Sequence, residues 1–417
     1  MAETHRYSRR AFVKSTIGGL AGAPLAVRSL AAKDAGSDRA AAGRVGEERS
    51  PIVRPLGKAG LAAPIVGMGV MNADNPELVR RSFEMGIRHF DTAANYMRGR
   101  NEEMVGRVLK ELAGRKDAVI ATKVYVPHAQ RNMTAEQAKA FYLKSAEDSL
   151  RRLQTEYVDV LYSHNISEKG WLTNPGVLEA LQALKQQGKA RAVGFSTHEN
   201  MTEMIDLGAD LGVYEVILTT FNYALAEDAA FFAAVRKAES RGIGLVAMKT
   251  QCQQGWYRDA IESADSAMYA RYYAGTLMNS ALLKWALRHP FVGCAVPGFT
   301  TFQQLEEDLP AAFDLDYTPE ERTFLEDRRI KLAMEAVCRR CRTCESGCPN
   351  GADVAELVRV HMYAAAYGNF GHARQVLAEI PAGRGLDACR DCSTCLASCR
   401  GRVNIDRRIN ELKTIFA

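Results

Sequence analysis

The stretch from residue 88 to residue 124 reads RHFDTAANYMRGRNEEMVGRVLKELAGRKDAVIATKV. It contains two short apolar runs, Arg88–Thr92 and Ala118–Val124, separated by an amphipathic segment, Glu102–Leu112. Apolar runs of this length predict buried strands, and a helical segment between them predicts a βαβ unit with parallel strands. The stretch therefore predicts an α/β fold.

The same alternation of strands and helices continues on both sides of this unit, from Pro51 to about Asp327. Eight βα units over roughly 250 residues favour a (β/α)8 barrel. The alternative is an open doubly wound sheet, which would need a Gly-x-Gly-x-x-Gly motif after an early strand. We assign residues 51–330 to the barrel. The other six predicted strands are Ile65–Val70, Val158–His164, Ala190–Ser196, Glu215–Phe221, Gly244–Lys249 and Gly293–Pro297.

The composition limits the class of protein. The 417 residues are 47% hydrophobic and 25% charged, which excludes a collagen-like, disordered or coiled-coil chain. The sequence has no apolar run long enough to predict a membrane span, so we expect none in the mature protein. Residues 1–32 hold five Arg or Lys and one Glu, so the net charge of +5 leaves +5 − 4 = +1 for the rest. No nucleic-acid partner is expected.

The N-terminus has the layout of an export signal. The string Ser8-Arg9-Arg10-Ala11-Phe12-Val13-Lys14 precedes a weakly apolar stretch, Ile17–Val27, and then small residues. The paired arginines resemble the twin-arginine type of signal, which a receptor reads and which exports folded proteins. The alternative is a basic amphipathic helix. We predict a signal peptide at residues 1–32, a linker at 33–50 and a periplasmic location.

Four ionisable side chains lie at or near the ends of neighbouring predicted strands: Asp91, Tyr96, Lys123 and His164. Barrel enzymes carry out their chemistry at the C-terminal ends of strands. A nearby Lys ammonium would lower the pKa of a tyrosine below its usual ~10, and an Asp would hold that Lys. A His would orient a substrate carbonyl. Taken singly, each residue would be solvated, ion-paired or part of the core; together they predict a catalytic site.

These residues belong to strings that resemble the aldo/keto reductase family across most of residues 52–313. The resemblance implies an NADPH-linked reduction of a carbonyl, with Tyr96 as the proton donor, Lys123 and Asp91 tuning it, and His164 orienting the substrate. The matching strings are Phe90–Tyr96, Asn101–Gly106, Thr122-Lys123, Val158–Leu161 with His164, Val193–Ser196, and Arg54–Leu61, which is similar to the hairpin that closes the barrel floor.

The cofactor positions match that family less well. Ser196 matches the serine that holds the nicotinamide amide, but Thr197 replaces the expected Asn, and Met248 replaces the tyrosine that stacks on the ring. Residues 298–307 keep the shape of the phosphate motif without any Lys or Arg. We expect NADP(H) or NAD(H), with Ser196, Lys249, Gly298 and Thr300 as binding residues. The helix that begins near Thr301 offers its first amides to a phosphate.

Eight of the ten cysteines fall in two runs of identical spacing near the C-terminus. A run of Cys-x2-Cys-x2-Cys-x3-Cys is the bacterial ferredoxin pattern, in which the fourth cysteine binds the other cluster. Zinc would need only Cys-x2-Cys pairs, and two identical registers disfavour a disulfide framework. We predict two [4Fe–4S] clusters in a domain at residues 331–417. Their ligands are Cys338, Cys341, Cys344 and Cys399 for one, and Cys389, Cys392, Cys395 and Cys348 for the other.

The spacer between the runs is long, and Ala352–Ala378 has a helical pattern. The domain therefore resembles the α-helical ferredoxin modules of respiratory enzymes. Cys252 and Cys294 lie outside the runs, and we expect them to be buried structural thiols.

The predicted function is that of an exported oxidoreductase acting on a small carbonyl or alcohol substrate. A nicotinamide moves two electrons as hydride, whereas each cluster passes one, and no flavin motif is visible. This difference leaves three alternatives. The clusters pass electrons to a partner redox protein, the clusters are structural, or the barrel uses an electron carrier other than a nicotinamide. The alternative function is a non-catalytic redox-sensing or regulatory subunit that binds a ligand in the barrel.

Overall fold

The computed structural model describes residues 50–127, 130–251, 277–327 and 338–416. The predicted signal peptide, almost all of the predicted linker and Cys252 lie outside these residues. Residues 49–417 form one unit by their contacts. In the part of the chain that the structure describes, no helix has the length and apolar character needed to cross a bilayer.

The central sheet has eight parallel strands that follow one another in sequence order. Two further bridges, Val66 to Ala295 and Gly69 to Gly298, join its first strand to its last. The sheet is therefore a closed barrel, as predicted, and each predicted strand overlaps an observed one. The strands are β3 (Met68–Gly69), β4 (His89–Asp91), β5 (Val119–Val124), β6 (Val158–Ser163), β7 (Ala190–Thr197), β8 (Val216–Thr220), β9 (Gly244–Met248) and β10 (Val292–Ala295).

Helices surround the barrel and bury their apolar faces against the outward side chains of the strands. Several begin at a side-chain cap, such as Thr134, whose hydroxyl accepts from the amide of Gln137. These helices are α1 (Pro76–Glu84), α2 (Arg100–Glu111), α3 (Ala135–Leu153), α4 (Lys169–Leu172), α5 (Pro175–Gln186), α6 (Met201–Asp210), α7 (Ala229–Ser240), α8 (Leu277–Leu287), α9 (Phe302–Asp308) and α10 (Pro319–Glu326).

An antiparallel hairpin, β1 (Val53–Pro55) and β2 (Ala62–Pro64), closes the floor of the barrel. Leu56 and Leu61 of the hairpin belong to the cluster of side chains that fills the barrel interior. Gly57 bridges to Ile243, just before β9 begins, which places the hairpin at the N-terminal ends of the strands. The site therefore has to open at the opposite face. Cys294 is buried in the interior cluster, as expected.

The C-terminal module is mainly helical, as predicted. Its helices are α11 (Val354–His361), α12 (Phe370–Glu379) and α13 (Ile405–Ile415), with a single π-helical turn at Met362–Ala366. The helical pattern at 352–378 is thus two helices rather than one, since the chain turns at Gly368, which has a φ of +63°.

The module and the barrel share one hydrophobic cluster. Tyr223, Ala281 and Leu282 of the barrel lie in the same cluster as Leu357 and Leu412 of the module. The module is therefore packed onto the barrel.

Candidate functional site

The side chains of Asp91 and Lys123 meet at the C-terminal ends of β4 and β5. Lys123 Nζ donates to Asp91 Oδ1 at 2.5 Å and to the carbonyl of Thr92 at 2.6 Å, and it lies 3.4 Å from the Tyr96 hydroxyl. All three side chains are more than nine-tenths buried. The sequence placed these groups in one sector of the rim, and the structure brings them into contact.

Tyr96 follows β4 in a short turn that holds its ring in place. The next two residues, Met97 and Arg98, have φ values of 50° and 58°, which non-glycine residues rarely adopt. Such strain persists only where the surrounding structure enforces it, and it is common at functional sites. The Tyr96 ring packs edge-on against His164, with ring centroids 5.8 Å apart.

The pKa of Tyr96 is raised well above 10, because the hydroxyl is buried and the charges of Asp91 and Tyr363 oppose its ionisation. The expectation that Lys123 lowers this pKa is therefore wrong. The cause is desolvation, which also raises the pKa of Asp91 and lowers that of Lys123. Tyr96 keeps its proton at neutral pH, which suits a proton donor better than a base.

His164 directly follows β6 and completes the predicted set of four. Burial, with a smaller effect of the Lys123 charge, lowers the pKa of His164 well below 6.5, so its ring is neutral. Tyr125 packs against the same ring, with centroids 5.5 Å apart, and donates to the Glu379 carboxylate of the module. His164 therefore lies between two phenol rings at the boundary of barrel and module.

The module covers the mouth of the barrel above these residues. Tyr363 contributes to the raised pKa of Tyr96, and His372 and Arg359 contribute to the lowered pKa of His164. The Tyr363 and His372 rings pack together, with centroids 4.4 Å apart. The sequence analysis missed all three residues, because no local pattern connects helices of the module with strands more than 200 residues earlier.

A groove of about 1160 Å³ leads from Asp91 and Tyr96 across the rim. It passes Met248 and Lys249 at the end of β9 and reaches Gly298 and Thr300 beyond β10. Three of the four predicted cofactor-binding residues, Lys249, Gly298 and Thr300, thus line one groove with Asp91 and Tyr96.

Ser196, the fourth of these residues, does not line the groove. It is buried at the end of β7, and its hydroxyl accepts from the backbone amide of Asn165 at 2.9 Å. Lys249 adopts a φ of 56°. Burial, together with the charges of Arg340 and Arg359, lowers the pKa of Lys249 to about 7.

The predicted phosphate-binding amides are already engaged. The side-chain carbonyl of Gln304 accepts from the amides of Thr300 and Thr301, at 2.7 and 3.2 Å, because it closes a capping box on α9. Glu307 and Asp308 also line this end of the groove, and burial raises the pKa of Asp308 to about 7. This end is therefore acidic, and a phosphate there would have to displace Gln304.

The eight cysteines of the runs are free thiols, and they form two groups. Cys348, Cys389, Cys392 and Cys395 line one cavity of about 510 Å³. Cys338 and Cys399 instead raise the pKa of the Cys344 thiol, after the larger effect of its burial. The fourth cysteine of each run therefore lies with the first three of the other run, as the ferredoxin pattern predicts.

The first cysteine run is fastened to the barrel by ion pairs. Glu199, which is 3% exposed and follows β7, pairs with Arg340 at 2.7 Å and with Arg342 at 2.6 Å. Both arginines lie between cysteines of the run and have φ values of 54° and 58°. The loop that bears Cys338, Cys341 and Cys344 is thus held against the barrel rim.

Comparison with known families agrees with this architecture. A model of the aldo/keto reductase family matches residues 66–326, which is more than half of the chain. The chain belongs to the aldo/keto reductase family. A model of the 4Fe-4S dicluster domain matches residues 337–403 of this reductase.

Curated relatives match the barrel part of the reductase. An L-galactose dehydrogenase of Arabidopsis thaliana is 30% identical over 290 residues, covering 63% of this chain and 89% of its own. An L-glyceraldehyde 3-phosphate reductase of Escherichia coli K12 is 26% identical over 312 residues, covering 64% and 89%. These relatives support an oxidoreductase.

Solved structures show the same barrel fold. The holo form of an aldo-keto reductase from Bacillus halodurans superposes with a TM-score of 0.53 at 21% identity, covering 67% of this chain and all of its own. A Klebsiella pneumoniae reductase in complex with NADP and acetate gives a TM-score of 0.52 at 24% identity, covering 66% and 95%.

Proposed function

We propose that this reductase reduces a small carbonyl compound, or oxidises the corresponding alcohol, with a nicotinamide as the hydride carrier. The observation that carries the proposal is the position of the Tyr96 hydroxyl. It lies 3.4 Å from Lys123 Nζ, inside a groove that continues to Gly298 and Thr300.

Each residue of the site has a distinct task in this proposal. Tyr96 holds the proton that the carbonyl oxygen receives, because its raised pKa keeps the phenol protonated. Lys123 and Asp91 hold the hydroxyl in position, and neutral His164 orients the carbonyl oxygen. A bound nicotinamide would supply the hydride. Lys249 and Thr300 are the groove residues best placed to hold it.

The test is reduction by anaerobically purified protein. NADH and NADPH are each offered with a panel of aldehydes and ketones that includes glyceraldehyde 3-phosphate, and NAD⁺ is offered with L-galactose. These two compounds enter the panel because the relatives act on them by name. Oxidation of the reduced nicotinamide that depends on the carbonyl supports the proposal. Failure of every pair, with intact clusters and no quenching of nicotinamide fluorescence, would contradict it.

We further propose that the module holds two [4Fe–4S] clusters with crossed ligands. The support is the arrangement of four free thiols around one cavity, with the other four thiols grouped separately. Metal ligation would then join two loops about 40 residues apart. About eight irons per chain are expected from two cubanes. An iron content near four per chain would indicate a single cluster and contradict the proposal.

The clusters are proposed to exchange electrons with a partner redox protein. Each cluster carries one electron, so two clusters together carry the two electrons of one hydride. The sequence shows no flavin motif that would connect two-electron hydride transfer with one-electron transfer. Photoreduced or dithionite-reduced protein should therefore keep its clusters reduced when a carbonyl substrate alone is added. Rapid reoxidation by that substrate would show that the clusters feed the barrel directly.

Export to the periplasm by the twin-arginine route is also proposed. Its support is the string Ser8–Lys14 and the apolar stretch after it, which lie outside the residues that the structure describes. Cofactor assembly in the cytoplasm requires a route that carries folded proteins. An Arg9→Lys, Arg10→Lys variant should stay in the cytoplasm with its clusters assembled, as cell fractionation would show. Unchanged export of this variant would contradict the proposal.

A further inference from the structure

A second cavity, here called the interface cavity, lies between the barrel rim and the cluster module. It encloses about 530 Å³. The barrel contributes residues that follow β7, β8 and β9, and the module contributes the start of the first cysteine run and α11. Lys249 lines both this cavity and the substrate groove, so the two spaces adjoin.

The Arg and Lys side chains that line the interface cavity give it a cationic character. Arg339, Arg340, Arg359 and Lys249 line it, and no Asp or Glu is among its lining residues in the described part of the chain. The remaining polar lining side chains include neutral His198, whose pKa burial lowers well below 6.5. A cavity lined in this way offers hydrogen-bond donors and no carboxylate to receive them.

Several of these donors are buried and unused. Arg340 is 5% exposed, and its Nε and Nη1 atoms have no hydrogen-bond partner in the described residues. His198 Nδ1 likewise has none. Lys249, which is partly exposed, adds a further cation to the cavity lining. A buried donor without a partner costs about 1–3 kcal/mol, more when it is charged, so such groups imply a missing acceptor.

Two carboxylates contact Arg340 without reaching its Nε and Nη1 atoms, and one of their oxygens, Glu199 Oε2, itself has no hydrogen-bond partner in the described residues. Glu199 and Glu356 both bind Arg340 through its Nη2 atom, which leaves Nε and Nη1 free. Glu356 also accepts from Arg359 Nε at 2.8 Å. The Lys249 charge is repelled by both arginines. An anion in the cavity would relieve this repulsion and receive the unused donors.

We propose that the interface cavity binds an anionic group, a phosphate or a carboxylate, held by Lys249 and Arg340 beside the first cysteine run. This site shares Lys249 with the proposed cofactor groove, and it adds Arg340 of the module, which that proposal does not use. Because Lys249 also lines the groove, the anionic group has two sources. It belongs to a molecule that extends from the groove, or to a separate ligand.

The test uses inorganic phosphate as the probe and the anaerobic holoprotein, with calorimetry as the readout. The wild type should bind about one phosphate per chain. Lys249→Met should weaken binding by ~10- to 100-fold, the value of one charge-assisted hydrogen bond. Lys249→Arg should largely restore it. Lys116→Met, which removes an exposed lysine of the barrel, is the matched control and should bind as the wild type does.

A second variant tests the site without removing a cation. Met201 lines the cavity and is partly exposed, so Met201→Glu places a carboxylate beside the same donors. This variant should lose phosphate binding while retaining its iron content.

Competition distinguishes the sources of the anionic group. Phosphate that competes with NADH or with the carbonyl substrate marks a molecule in the groove, and phosphate that competes with neither marks a separate ligand.

Three results would overturn the proposal. The first is a wild-type dissociation constant for phosphate above ~10 mM. The second is binding that neither Lys249→Met nor Met201→Glu changes. The third is an absence of binding together with a lower reduction potential of the adjacent cluster in Lys249→Met. That result would show that the cations only compensate the negative charge of the cluster.

Discussion

Replacing Tyr96 by phenylalanine tests the proposed proton donor with little disturbance of the fold. The ring contacts remain, since the ring packs 5.8 Å from His164 and lies 4.9 Å from Lys123 Nζ, between centroid and atom. Only a hydroxyl at 3.4 Å from Lys123 is removed, and that lysine keeps Asp91 and the Thr92 carbonyl as partners. We expect a change in unfolding free energy of no more than about 1 kcal/mol.

The catalytic effect of this change should be much larger. Loss of a general acid lowers turnover by ~100- to 10,000-fold, or about 2.7–5.5 kcal/mol of transition-state stabilisation. Single-turnover oxidation of NADH with the best carbonyl substrate measures the chemical step. Nicotinamide fluorescence measures cofactor binding, which should change less than about threefold, or ~0.65 kcal/mol.

The pH dependence gives an independent check. The pKa of Tyr96 is raised well above 10 and that of His164 is lowered well below 6.5. Neither of these two groups therefore changes its protonation between about pH 6.5 and 10, so any change in the rate of carbonyl reduction in this range, such as one from Lys249 with its pKa of about 7, should persist in Tyr96→Phe. A fall in rate with an apparent pKa near 7 to 9 that vanishes in Tyr96→Phe would refute the assignment of the raised pKa.

Tyr125→Phe is the matched control, because Tyr125 also packs on His164 but donates to Glu379 of the module. It should retain most of the wild-type turnover. If Tyr96→Phe kept more than half of the activity, or if both variants lost it equally, Tyr96 would not be the proton donor.

Three further predictions concern the clusters, the cofactor and acid stability. Cys348→Ala should damage the cluster of the second cysteine run, whose cavity Cys348 lines; EPR that shows loss only of the cluster next to it in sequence would contradict crossed ligation. NADPH should be preferred over NADH by less than about tenfold, and Glu307→Arg should raise that ratio by ~10- to 100-fold, as steady-state kinetics with both cofactors can show. Burial lowers the pKa of His89 to about 4, so its neutral form stabilises the fold fully above pH ~6.5, and that contribution is lost as the pH falls toward 4. Between pH 6.5 and 5 the free energy of unfolding, measured in urea, should fall by ~2 kcal/mol because of His89. His89→Leu should make the free energy of unfolding depend less on pH in this range, and an unchanged dependence would exclude His89 as its source.

The fold and the chemistry-bearing residues could largely be predicted from local patterns. The eight strands were predictable because short buried runs alternate with capped, amphipathic helices, and a closed parallel barrel brings every strand end to one face. That geometry is why Asp91, Tyr96, Lys123 and His164 could be grouped before any contact was known. The cysteine spacing was equally local, and it predicted even the exchange of Cys348 between runs.

Other features depend on burial and on contacts between distant residues, which local patterns do not encode. The direction of the Tyr96 pKa shift was predicted wrongly, because desolvation and the charge of Asp91 both raise this pKa. The first amides of the helix near Thr301 were expected to be available to a phosphate, yet the side-chain carbonyl of Gln304 accepts from the amides of Thr300 and Thr301 where that helix begins.

The sequence by itself determined the barrel, the catalytic set and the cysteine runs, since each arises from spacing along one segment. Only the tertiary structure decided that the module covers the barrel mouth and that the interface cavity is cationic. Glu199 contacts Arg342 across 143 positions of sequence, and Tyr125 contacts Glu379 across 254. Such contacts follow from how two packed surfaces meet, and a surface is a property of the folded chain.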